Sequence, residues 1–202
     1  MKAARPNRGG TRTLRIIGGR WRSRLLTFVD APGLRPTPDR VRETVFNWLQ
    51  LHVPGRHVLD MYAGSGAMAF EALSRGAASA TMIEFDQAQA RALQATAQSL
   101  AATEARIIRD DSLRWLASAT LPEGGYGLIV LDPPFHLGHV DKTLAALEAK
   151  GWLQSNTWIY VETELAPEEL TLPSSLDLHR HTRAGMVWAL LFRVETEGDA
   201  TS

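Results

Sequence analysis

From residue 57 onward short apolar runs alternate with longer amphipathic ones, and this alternation restricts the fold more than any single residue does. HVLDMYA, ATMIEFD, ARIIRDD, YGLIVLD and TWIYVET carry the Val, Ile and aromatic content of strands. Between them lie helical candidates: GAMAFEALSRG closing on Gly76, the stretch from Gln87 to Ala102, SLRWLASA, and Lys142 to Lys150 before Gly151. Strands separated by helices connect through right-handed crossovers, so a mainly parallel α/β sheet covered on both faces is expected. LDLHRHTRAGMVWALLFRV then holds two strand-like runs joined at Ala184-Gly185-Met186 with no helix between them, which adds an antiparallel hairpin strand at one edge.

Upstream, LRPTPDRVRETVFNWLQLH reads as a helix with Thr37 as N-cap, Pro38 at the first helical position and Asp39 in the first turn. Val41, Val45, Trp48 and Leu49 recur at helical spacing and should face the core. LRIIGGRWRSRLLTF reads as two short strands bent at Gly18 and Gly19. The expected organisation is a flexible basic tail over residues 1–13, a basic β extension and helix over 14–53 packed on the core, the main α/β domain over 54–196, and a flexible tail over 197–202.

Charge is distributed unevenly. Residues 1–42 hold 11 of the 22 Lys and Arg but only Asp30 and Asp39 as acids, so this segment carries +9 and the remainder, with 11 bases against 20 acids, −9. Such segregation is an electrostatic footprint for a polyanion, although a basic terminus can also be no more than a solubilising tail. With no cysteine there is no disulfide framework, Cys-ligated metal or thiol nucleophile, and the six histidines lack ligand spacing, so no metal is expected. No secretory h-region or bilayer-length apolar run is evident, which leads to the expectation of a soluble, cytoplasmic protein without membrane contact; a monomer is expected as well.

LDMYAGSGAMAF follows the first strand of the alternating region and opens a helix. Glycines there let backbone approach a ligand, and the helix N-terminus offers unpaired N–H groups. Gly64-Ser65-Gly66-Ala67-Met68-Ala69 also satisfies a loose dinucleotide pattern, with Glu84 at ribose distance, so the glycines alone leave the cofactor open. Asp60 breaks the tie. A carboxylate at the strand end opposes a pyrophosphate but matches the sulfonium and ammonium of S-adenosylmethionine. Asp60, Ala63, Gly64, Ser65 and Gly66 resemble the first motif of class I methyltransferases, Glu84 the acid that meets the ribose hydroxyls, and Asp111 the position that meets the adenine amine.

The fourth strand ends in VLDPPF. In such a fold this point lies beside the transferable methyl group, so it should handle the acceptor. An exocyclic nucleobase amine has its lone pair delocalised into the ring. Accepting its two N–H hydrogens, one on Asp132 and one on the carbonyl of Pro133, would turn that lone pair towards the methyl. Pro133 and Pro134 fix the backbone in advance, and Phe135 would stack on an unpaired or flipped base.

RIIGGRWRSR, GLRPTPDRVRETVFNWL, DMYAGSGAMAFEALSRGA, IEFD and VLDPPF, in this order, resemble the bacterial 16S ribosomal RNA guanine-N2 methyltransferases of the RsmD family over residues 14–194. The resemblance implies a Rossmann-like class I fold and methylation of one guanine N2 amine in 16S rRNA of an assembled or assembling small subunit. It also implies that Arg35, Thr37 and Arg40 lie near cofactor and acceptor, and that Arg15, Arg20, Trp21, Arg22 and Arg24 touch RNA. A DNA adenine-N6 methyltransferase would use the same clamp but normally needs more chain for target recognition. A nonenzymatic ribosome-assembly factor would have no need of Asp132.

Overall fold

The computed structural model describes residues 10–31 and 36–195. Strands β1 (Thr11–Arg15) and β2 (Leu25–Val29) form a two-stranded antiparallel sheet joined through a 3-10 turn at Gly19–Trp21, and α1 (Asp39–Trp48) follows. Then come β3 (His57–Asp60), α2 (Ala67–Ser74), β4 (Ser79–Glu84), α3 (Gln87–Ser99), β5 (Ala105–Arg109), α4 (Ser112–Ser118), β6 (Leu128–Leu131), α5 (His139–Ala149) and β7 (Trp158–Thr163). The hairpin β8 (Leu176–Ala184) and β9 (Val187–Val194) closes the chain. The main sheet has the order β5-β4-β3-β6-β7-β9-β8. β3 to β7 are parallel, β9 runs antiparallel to β7, and β8 forms the edge antiparallel to β9.

Two cores explain the strand pattern. Val58, Met82, Val130 and Tyr160 face one side with α1, α2 and α3, while Leu59, Ile83, Ile129 and Ile159 face the other with α4 and α5. Because both faces are covered, the central strands read as continuous apolar runs rather than alternating ones. Ile16, Trp21 and Leu26 of the extension belong to the first core, so residues 14–53 and the main domain share one interior.

Several boundaries differ from expectation. β1 begins at Thr11, inside the segment expected to be a flexible tail: its residues pair in register with β2, Thr11 opposite Val29. Residues 1–9 and 196–202, where the remaining tail assignments fall, lie outside the described residues, as does Arg35. Helix α1 starts at Asp39 with Pro38 in the cap position and no side-chain cap, because the Thr37 hydroxyl is engaged elsewhere. α3 stops at Ser99, short of Ala102, where Ala101 takes the left-handed region (φ 51°). α5 begins at His139, earlier than Lys142, after Gly138 at φ 61°. Among the described residues no helix is long and apolar enough to cross a membrane.

Candidate active site

Strand order reverses between β3 and β6, and in open α/β sheets ligands bind beyond the carboxyl ends of strands at such a switch. Three carboxylates meet there. Asp60 ends β3 and is 2% exposed, Asp132 follows β6 and is half-buried, and Glu162 of β7 is 4% exposed. Leu131 pairs with Val161, which sets Asp132 next to Glu162. Strand alternation then turns Asp60, Asp132 and Glu162 to the same face as Val58, Val130 and Tyr160.

Their environments separate their roles. Burial raises the Asp60 carboxyl to about 7, with the Glu84 and Glu162 charges adding to the rise and the backbone N–H groups of Tyr62 and Ala69 opposing it. Burial, then Glu162 and Asp60, push Asp132 well above the usual carboxylate range. No protein hydrogen bond or cation among the described residues offsets that rise. Burial also raises Glu162, but it accepts hydrogen bonds from the Thr37 hydroxyl and, at 2.7 Å, from the Tyr160 hydroxyl, with Arg42 as a nearby cation. Asp132 is thus the carboxylate left without a partner, at the point where an acceptor would enter. Beside it Pro133 is buried, Pro134 is exposed and Phe135 is 36% exposed. The following turn is tied down by Glu164, whose carboxylate accepts the His136 backbone N–H at 2.6 Å.

The glycine turn crosses the end of β3. Gly64 (φ 48°) and Gly66 (φ 73°) occupy the left-handed region, and a Cβ on Gly66 would lie 2.6 Å from Leu93 and 2.8 Å from Phe70. Glu84, half-buried at the end of β4, accepts the Gly64 N–H at 2.9 Å and the Asp86 N–H at 2.7 Å, so it shapes the turn and faces it. Ala63 and Ser65 are buried within the turn. Asp111, exposed, caps α4 by accepting the Arg114 N–H at 2.9 Å, a structural duty that the sequence reading did not assign. This is a cradle only glycine permits, flanked by acids suited to hydroxyl and cationic groups, and it fits a nucleoside cofactor with a sulfonium. Among the described residues no group of three or more acidic, His or Cys side chains could hold a metal ion.

Sequence reasoning missed the residues that attach the basic extension. Glu71, 0% exposed on α2, accepts the backbone N–H groups of Ile17 and Gly18, each at 2.8 Å, and the Arg75 guanidinium at 2.7 Å. Ser74 accepts the Trp21 N–H at 2.9 Å and donates to the Gly18 carbonyl at 2.5 Å. Gly19 lies so close to α2 that a Cβ there would sit 1.9 Å from the Ser74 carbonyl oxygen. Arg42, also 0% exposed, donates to the Arg15 carbonyl at 2.8 Å and to Asp39 at 2.5 Å and lies 3.6 Å from Glu71. Gln89 accepts the Val29 N–H at 2.9 Å and donates to the Gly64 carbonyl at 2.5 Å, joining β2 to the glycine turn.

This clasp corrects one expectation. Trp21 is 8% exposed, with its ring in the core and the Arg20 guanidinium over it at 4.1 Å, so it anchors the extension and does not offer a face to a base. Arg15, Arg20, Arg22, Arg24 and Arg40 are exposed; Arg20 pairs with Glu104 at 2.7 Å and Arg24 donates to the Ser99 carbonyl at 3.1 Å. Arg15 and Arg22 line an open groove of about 240 Å³ that also borders Asp39 and Glu43. Thr37, 4% exposed, has its hydroxyl committed to Glu162, which makes it part of the floor of the site.

Comparison with known proteins agrees with this geometry. The family model described as conserved hypothetical protein 95 matches residues 14–193. The "Ribosomal RNA small subunit methyltransferase D" of Escherichia coli (strain K12) is 43% identical over 196 residues, covering 97% of this chain and 98% of that protein. The protein of the same name from Haemophilus influenzae is 38% identical, covering 95% and 98%. A solved structure, "Putative methyltransferase yhhF from Escherichia coli", superimposes with a TM-score of 0.81 at 43% identity, covering 92% of this chain and 99% of that one.

Proposed function

Because the chain belongs to the family described as conserved hypothetical protein 95, we propose that it transfers a methyl group from S-adenosylmethionine to the exocyclic N2 amine of a guanine in 16S rRNA of the small ribosomal subunit. The observation that carries this reading is the unpartnered Asp132 carboxylate followed by buried Pro133 and partly exposed Phe135, one strand away from the glycine turn. The names of the relatives support rRNA as the substrate class, the clamp supports an exocyclic nucleobase amine as acceptor, and the choice of guanine N2 rests on the resemblance to the RsmD family.

When bound, S-adenosylmethionine supplies an electrophilic sulfonium methyl group, so positioning provides most of the help that transfer needs. Glu84 would hold the ribose hydroxyls, Asp111 the adenine amine, and the turn Ala63-Gly64-Ser65-Gly66 the backbone contacts. Asp132 would accept one hydrogen of the guanine amine and the Pro133 carbonyl the other, with Phe135 against the flipped base. Once methylated the amine is strongly acidic. Asp132, held at a raised proton affinity by burial and by the Glu162 and Asp60 charges, is suited to take its proton. The exposed arginines of the extension would follow the phosphate backbone.

The test is incubation with labelled S-adenosylmethionine and unmethylated small subunits, naked 16S rRNA or duplex DNA, followed by digestion to nucleosides. Label in N2-methylguanosine from RNA is expected. Label in DNA alone, or in another nucleoside, would overturn the assignment.

The raised Asp60 carboxyl makes a pH prediction. A cationic cofactor favours the ionised acid, so below pH about 7, where Asp60 is largely protonated, binding should release protons and weaken as pH falls. Calorimetric titration in buffers of different ionisation enthalpy measures the release. Asp60→Asn should flatten the part of the affinity profile that rises through pH 7, and an unchanged profile would show that Asp60 is not the group responsible.

A further inference from the structure

We propose that the outer end of the C-terminal hairpin, carrying Arg180, His181, Arg183 and Trp188, is a second RNA-binding surface that grips the substrate strand on the flank of the clamp away from the basic extension. This builds on the rRNA-methylation reading and assigns a new contact to it.

Position is the first argument. β9 runs antiparallel to β7 with Trp188 opposite Thr163, so the hairpin tip at Gly185 and Met186 lies at the carboxyl end of the parallel strands, where the clamp is. The next residue of that chain, Glu164, holds the His136 backbone N–H, which places the tip beside the loop that presents Phe135. The extension, by contrast, is clasped to α2 and, through Gln89, to the glycine turn on the β3–β4 side. The two basic elements therefore flank the carboxyl ends of β6 and β7, where Asp132 and Glu162 lie, from opposite sides of the sheet order.

Charge is the second argument. The outer part of the hairpin, residues 178–188, contains Arg180 and Arg183 and no acid, within a region (43–202) whose net charge is −9. Local enrichment against an acidic background is what a polyanion contact requires, and general solubility does not. The side chains are also arranged as a platform. The Arg183 guanidinium lies 5.0 Å from the Trp188 ring centroid and the His181 ring 5.7 Å from it, while Arg180, His181 and Arg183 are exposed and Met186 is 77% exposed. Their register partners, Leu190 for His181 and Trp188 for Arg183, put these two on the α4–α5 face of the sheet, while Arg180, opposite Leu191, lies on the face shared by Asp132 and Glu162, so the two arginines straddle the edge. An aromatic ring with stacked guanidinium and neighbouring cations suits a single-stranded backbone with splayed bases.

Charged residues on an edge strand also block unwanted strand pairing, and the variants should separate the two roles. Arg180→Glu/Arg183→Glu keeps the edge charged but repels phosphate, and Arg180→Lys/Arg183→Lys keeps the positive charge. Filter binding of unmethylated small subunits, scored over a salt series, is the direct measurement, with methyl transfer and calorimetric cofactor binding run in parallel. The reversal variant should bind subunits at least about tenfold more weakly, and the log–log salt slope should fall by about 0.7 for each lost phosphate contact. Cofactor affinity, monodispersity and the unfolding midpoint should stay unchanged, and the lysine variant should recover most of the binding. Wild-type subunit affinity and salt slope in the reversal variant would overturn the proposal, as would a loss of binding that accompanies self-association or unfolding. If the wild-type protein binds subunits but methylates no RNA, the functional reading fails while the hairpin is still judged on binding.

Discussion

Replacing Asp132 with alanine is expected to lower the rate of methyl transfer by about 10²–10³ while leaving S-adenosylmethionine affinity largely intact, since the side chain addresses the acceptor. The Asn variant refines the test. An amide carbonyl still accepts the amine hydrogen but does not titrate, so Asp132→Asn should be slowed less than the alanine variant. At saturating cofactor it should also lose the part of the fall in rate towards acid pH that comes from Asp132. That sign follows from the raised proton affinity of Asp132: as pH falls the carboxyl is neutral earlier than an ordinary aspartate and ceases to be a pure acceptor. Single-turnover rates against pH measure both, and near wild-type rates for the alanine variant would remove Asp132 from the reaction.

The second large effect concerns stability. Glu71→Ala should destabilise the protein by about 3–5 kcal/mol, because it leaves the buried Arg42 guanidinium with only Asp39 as a carboxylate partner, removes the Arg75 ion pair and strips the Ile17 and Gly18 amides of their acceptor. At roughly 2–4 °C per kcal/mol for a chain of this size, thermal unfolding should shift by at least several degrees. Pairing the change with Arg42→Met should recover part of the loss, since a buried ion pair is costly mainly when only one partner is removed. Additive losses in the double mutant would mean that Arg42 and Glu71 do not act as a unit.

These two predictions differ in how visible their residues were in the sequence. Asp132 announces itself locally: an acid, two prolines and an aromatic ring directly after an apolar strand. The parallel sheet, the glycine turn and the hairpin were equally legible, because each is written in contiguous residues through period, turn chemistry or strand-end position. Glu71, Ser74, Gln89 and Glu162 were not, because the partners that tie them to the extension and to Thr37 lie 53 to 125 residues away and no local pattern distinguishes a buried carboxylate from a solvated one. Trp21 shows the same limit from the other side. Set among arginines it is placed on RNA by the family resemblance, and only the fold reveals α2 beneath it. Thr37 carried a correct cue for the wrong partner, having the hydroxyl of a helix cap but spending it on β7.

Helix α2 is a gauge block between the two halves of the site. Its first residue follows Gly66 of the cofactor turn, and its last turn carries Glu71 and Ser74, with Arg75 next, to hold the extension. Eight residues span about 12 Å, and one residue more or fewer would rotate one end against the other by about 100°. Either change would swing Glu71 away from the Ile17 and Gly18 amides while leaving the glycine turn in place. Insertions and deletions should therefore be excluded from residues 67–74, and a chain carrying one could retain its cofactor cradle yet present its arginines to the wrong stretch of RNA.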